Sequence, residues 1–289
     1  MNKLTLCMTL FIFLIVSSPV YSKALGISPA SIVELTIMSS GERMSGLAYL
    51  AAGKAPHPTI LLLHGYPGNE KNLDVAQAMR SQGWNVVFFH YRGAWGSEGE
   101  FSIVNAEQDV QNVLQYINDD SNAQRLRIDT EQVSIVGHSM GGHMAIAGLI
   151  DNPKVKCAVS YDGANMGANG YGIFDNPKTS VMWKEYSDSL FMLNEWSGDK
   201  SIQEAKQHGR ALDLLPRLNK VNARPILFIA ANSDVIPMAL HITPLVNALN
   251  TLKNNRVVLQ VIEDDHSFSS SRLLLIESTA DFLKTNCTK

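Results

Sequence analysis

Ser139 stands in Gly137-His138-Ser139-Met140-Gly141-Gly142, directly after the apolar run 132–136 and at the head of a helical pattern that begins at Met140. A serine held in a sharp turn between a strand and a helix presents its hydroxyl clear of the sheet. The first N–H groups and the dipole of the helix then favour an oxyanion beside it. That is the setting for attack on a carbonyl through a tetrahedral intermediate. A second candidate lies upstream: His64-Gly65-Tyr66-Pro67-Gly68 closes the apolar run 59–63. If the two strands are neighbours, the N–H groups of Tyr66 and Met140 form an oxyanion-hole pair. His64 fits a structural histidine bracing this loop better than a proton carrier.

The elements that must position these residues follow from the alternation of the chain. Short apolar runs at 59–63, 85–90, 132–136, 155–160, 225–230 and 257–262 read as buried strands. Helical patterns at 72–81, 105–118, 140–150, 239–251 and 269–283 lie between them. Residues 31–38 and 47–51 read as an opening antiparallel pair. The expectation is an α/β fold: a mostly parallel eight-stranded sheet with helices on both faces. One segment, about 162–216, is far longer than an ordinary connection. It opens with Gly163, Gly167, Gly170 and Gly172, continues with Trp183, Tyr186, Phe191, Met192 and Trp196, and is expected to form a helical cap. Trp95, Trp183 and Trp196 are the candidate substrate contacts, the plain alternative for the cap tryptophans being cap core.

With 24 Lys+Arg against 27 Asp+Glu and a net charge of −3, the chain has no cationic block, so nucleic acid is not an expected partner. Met1–Ser22 carries Lys3, a short apolar run and small residues at a cleavage point after Ser22. This predicts a cleaved signal peptide at 1–22, one α/β domain with the long insertion over 23–289, no lasting membrane span, and a secreted or periplasmic location. Cys157 falls in an expected buried strand, where a free small hydrophobe is the plainer reading and a bridge to Cys287 the alternative. His57, His90, His208 and His241 lack metal-ligand spacing, and no phosphate loop or dinucleotide fingerprint is present, so neither metal nor cofactor is expected.

These motifs resemble the α/β-hydrolase superfamily over nearly all of residues 30–285. Tyr91-Arg92-Gly93-Ala94-Trp95-Gly96-Ser97-Glu98-Gly99 is similar, with one inserted residue, to the loop after the fourth strand of that fold. Residues 106–142 look most like prolyl-oligopeptidase-type and dienelactone-hydrolase-type catalytic domains. The resemblance implies the chain order nucleophile, acid, histidine. Asp234 follows the run 225–230 and His266 follows the run 257–262, both at strand ends on the side of the sheet that carries Ser139. Glu263, Asp264 and Asp265 are closer to His266 in the chain, but so near a neighbour rarely reaches the ring nitrogen facing away from the serine. The expected triad is therefore Ser139, Asp234 and His266. It implies a serine hydrolase of small esters, or alternatively an exopeptidase, amidase or acyltransferase using the same groups. The oligomeric state is not legible.

Overall fold

A computed structural model describes residues 27–168, 172–232, 236–252 and 256–288. The expected signal segment lies outside them. Eight strands form one sheet: β1 (Ser31–Ser39), β2 (Glu42–Leu50), β3 (His57–Leu63), β4 (Asn85–Phe89), β5 (Ile128–His138), β6 (Ala158–Tyr161), β7 (Ile226–Ala231) and β8 (Val257–Ile262), in the spatial order β8-β7-β6-β5-β3-β4-β2-β1. The β1–β2 and β2–β4 pairs are antiparallel and every other pair is parallel. This is the expected sheet, with β2 starting earlier than its apolar stretch suggests. A separate short pair joins Ile27–Ser28 to Gly53–Lys54.

The inner parallel strands are mostly buried on both sides and therefore mostly apolar: β4 and β7 have no exposed position, whereas the edge strand β8 leaves Val258, Leu259 and Val261 exposed. One face packs on α2 (Ile103–Asn118), α4 (Met140–Asp151) and α8 (Thr243–Thr251). The other packs on α1 (Leu73–Ser81) and α9 (Arg272–Asn286). Two short helices, α3 (Asp120–Leu126) and α7 (Met238–His241), were not foreseen as separate elements. Their patterns are too short to show a period, and α7 runs almost into α8. Cys157 and Cys287 are disulfide-bonded, Cα atoms 5.7 Å apart, which ties the end of α9 to the entry of β6 across 130 residues.

Register is what builds the site. Leu63 pairs with Gly137, His138 with Tyr161, Tyr161 with Ile229, and Ala231 with Ile262. The residues that next leave the sheet are therefore His64, Ser139, Asp162, Asn232 and Glu263, side by side along one edge. Between β6 and β7 the chain forms α5 (Pro177–Asp188), α6 (Gly198–Leu212) and two 3₁₀ turns. Among the described residues no helix is long and apolar enough to cross a membrane.

Candidate active site

Ser139 is the N-cap of α4 and takes φ 58° and ψ −119°, a conformation that L-residues adopt only under constraint. The constraint is visible in its backbone. Its N–H donates to the Tyr161 carbonyl at 2.8 Å, and its carbonyl accepts the N–H groups of Gly142, His143 and Ala164. The turn closes because position 141 is glycine: a Cβ there would lie 2.3 Å from the Leu63 carbonyl oxygen. Gly65 plays the same part opposite, where a Cβ would come within 2.8 Å of Ser139 Cβ. The loop after β3 thus runs hard against Ser139. Tyr66 and Met140, the expected oxyanion donors, line the same cavity as Ser139.

His64, which opens this loop, is fully buried, and its Nδ1 lies 2.8 Å from the Gly65 carbonyl. Burial pushes its imidazole down to about 3, so the ring is neutral and braces the turn.

His266 enters the cavity from the loop after β8, and the acids beside it in the chain shape that loop. Asp265 accepts the N–H groups of Ser267 and Ser269, and Asp264 those of Asp265 and Ser270. The Ser269 N–H leads in holding the Asp265 carboxyl below its ordinary range. Glu263 accepts from the Asn232 side chain at 2.7 Å.

The imidazole itself meets a different carboxylate. His266 Nδ1 stands 2.9 Å from Asp162 Oδ2. Asp162 is the first residue after β6 and is wholly buried. Its Oδ1 accepts the Ala231 N–H at 3.0 Å, and its own N–H donates to the Ile229 carbonyl at 2.7 Å, so β7 fixes it from two sides. Sequence reasoning missed Asp162 by treating it as the start of the insertion. Asp234, the expected acid, lies outside the described residues. His138 precedes Ser139 in the chain and meets His266 instead. Its Nε2–H donates to the His266 carbonyl at 2.7 Å, and the two rings lie 4.5 Å apart, so it supports His266 from beneath.

The cavity holding Ser139 and His266 measures about 490 Å³. Its described wall is mostly apolar and contains no Lys, Arg, Asp or Glu. Helix α5 contributes Thr179, Met182, Trp183 and Tyr186. Of the three tryptophans expected to meet substrate, only Trp183 lines this space. Trp95 instead donates its indole N–H to the Pro67 carbonyl at 2.7 Å, under the Lys71 ammonium 4.1 Å from its ring. Trp196 donates to Tyr66 Oη at 2.8 Å from behind the wall. Both act on the loop that carries Tyr66. Their spacing gave residue type without direction; in the structure both indoles bond to the Tyr66–Pro67 loop and neither lines this cavity.

The BD-FAE family model matches residues 47–186. Among curated proteins, an uncharacterized 31.7 kDa protein from the traX-finO intergenic region of Escherichia coli is 29% identical over 110 residues, covering 37% of this chain and 38% of that protein. The alignment thus spans well under half of that relative. Among solved structures, the acylaminoacyl peptidase of Pyrococcus horikoshii superposes with a TM-score of 0.67 at 19% identity, over 94% of this chain and 44% of that one. The Pyrococcus furiosus esterase Pf2001 gives 0.64 at 18% identity, over 92% of this chain and 96% of that one.

Proposed function

The chain has the fold of the α/β-hydrolase superfamily, and from that premise we propose that it is a serine hydrolase that cleaves carboxylic esters through an acyl-enzyme. Ser139 Oγ attacks the ester carbonyl and His266 takes its proton. Asp162, against the far ring nitrogen, holds the useful tautomer and balances the imidazolium charge. The N–H groups of Met140 and Tyr66 receive the oxyanion. His266 returns the proton to the leaving alcohol, then activates a water that releases the acid. The observation that carries this reading is the placement of Ser139 and His266 in one cavity wall, with a buried carboxylate 2.9 Å from His266 Nδ1.

The preference for esters over peptides rests on the wall. An exopeptidase must hold a terminal ammonium or carboxylate, and burying either without a partner is costly. The described lining offers no charged side chain for it beyond the imidazoles. An apolar acyl group fits that surface better. Export from the cytoplasm belongs to the same reading, supported by the basic, apolar and small-residue order of residues 1–22 and by the Cys157–Cys287 bridge, a bond that persists in oxidising compartments.

The test is a rate profile on p-nitrophenyl esters from acetyl to octanoyl beside alanine and proline p-nitroanilides. Ester turnover at least a hundredfold above anilide turnover is expected. Faster anilide cleavage would replace the esterase reading with a peptidase one.

A further inference from the structure

Tyr66 has two attachments that pull in different directions. Its backbone belongs to the loop pinned against Ser139 at Gly65 and held from the sheet side by Trp95 on Pro67. Tyr91 also donates its hydroxyl to the His64 carbonyl at 3.3 Å. The Tyr66 side chain points the other way, into the helical segment. Its hydroxyl donates to Ser187 Oγ at 2.9 Å and accepts the Trp196 indole N–H at 2.8 Å. Its ring stacks on Trp183, with centroids 5.6 Å apart and planes 19° apart, and meets Tyr186 and Trp196 edge-on. Burial pushes the phenol up to about 12, so it stays a neutral donor and acceptor at every working pH.

Ser187 is the one buried residue of α5. The rest of this helix is exposed or half-buried, and its one fully buried residue is the serine that receives Tyr66. Trp196 lies outside the Ser139 cavity and is joined to its wall by the hydrogen bond to the Tyr66 hydroxyl.

We propose that Ser187 and Trp196 are positioning residues for the oxyanion hole: by fixing Tyr66 Oη they fix the Tyr66 N–H, so the cap helices set the rate of the chemical step as well as the choice of acyl group. The proposal rests on the serine-hydrolase reading. An oxyanion donor is used fully only in the transition state, so its displacement lowers kcat and leaves KM nearly unchanged. Loss of one such donor costs on the order of 10²–10³ in kcat. A partial displacement should cost on the order of tenfold. A positioning effect should appear equally on acetate and on longer esters. A wall effect should grow with acyl length.

The experiment compares the full chain with Trp196→Phe, Tyr66→Phe, the double variant and Met182→Ala, on p-nitrophenyl acetate and hexanoate. Active sites are counted with a fluorophosphonate so that any misfolded fraction drops out. Trp196→Phe and Tyr66→Phe should each lower kcat about tenfold on both esters with KM within about twofold. The double variant should cost no more than Tyr66→Phe alone, since both changes act through one hydroxyl. Affinity for a trifluoromethyl ketone, whose adduct carries the oxyanion, should weaken by the same factor as kcat. Met182→Ala, a wall change, should lower turnover of hexanoate more than that of acetate. An unchanged kcat, a rise in KM alone, or additive losses in the double variant would overturn the positioning role while leaving the esterase reading intact. A wild-type chain that neither hydrolyses these esters nor takes up the fluorophosphonate overturns both.

Discussion

Helices α4 and α5 are each twelve residues long and both reach the cavity of Ser139, yet they are built on opposite terms. Eleven residues of α4 are buried, between the sheet and its neighbours, whereas α5 buries only Ser187 and leaves Val181, Met182 and Tyr186 at 56, 63 and 43% exposure. The first helix cannot shift without disturbing the core, so it suits a nucleophile that must be held to a fraction of an ångström. The second has little core to hold it, and its one buried hydroxyl, its aromatic contacts and its bonds to α6 from Trp183, Lys184 and Asp188 keep it in place. In the proposed function the rigid element carries the nucleophile and the lightly anchored one faces the acyl group.

The largest effect expected on the rigid side comes from Asp162→Asn. An amide at that position favours the wrong imidazole tautomer, and kcat should fall by about 10³–10⁴ near pH 7 with little change in KM. The competing outcome sharpens the comparison. If Asp234→Asn proves crippling and Asp162→Asn stays active, the acid comes from the loop after β7 and Asp162 is a structural clamp.

A smaller effect reads the burial of α4 directly. His143 is fully buried on that helix, its Nδ1 accepts the Met166 N–H at 3.2 Å, and burial pushes it down to about 3 from the ordinary 6.5. The unfolded chain therefore binds a proton that the folded chain refuses between those values, and stability is lost as pH falls below 6.5. At pH 5 the loss from this residue is about 2 kcal/mol. The drop in unfolding free energy from pH 7 to pH 5 should shrink by about that amount in His143→Gln. An identical drop in both proteins would show that α4 admits water and that the contrast with α5 is weaker than drawn.

The half of the site that was legible in the sequence is the half set by local geometry. A strand, a glycine-flanked serine and a helix start are contiguous, so Ser139 and Met140 could be read directly, and the strand-end position of His266 came with the fold the motifs resemble. Asp162 was invisible because its value comes from β6 lying between β5 and β7, a neighbour relation that no spacing encodes. In the chain it is a polar residue before Gly163, which reads as a turn. Trp95 and Trp196 were visible as aromatics, but only packing shows that both aim at the Tyr66 loop. The Cys157–Cys287 pairing likewise depends on α9 returning beneath β6, 130 residues later.

The central claim is that Ser139 is the nucleophile of an enzyme held ready by the sheet edge. The full chain treated with a fluorophosphonate and digested should carry one adduct, on the peptide containing Ser139. Ser139→Ala should lose both the adduct and ester hydrolysis, by on the order of 10⁶ in kcat, with its far-ultraviolet dichroism unchanged. Labelling or turnover that persists in the alanine variant would contradict the account.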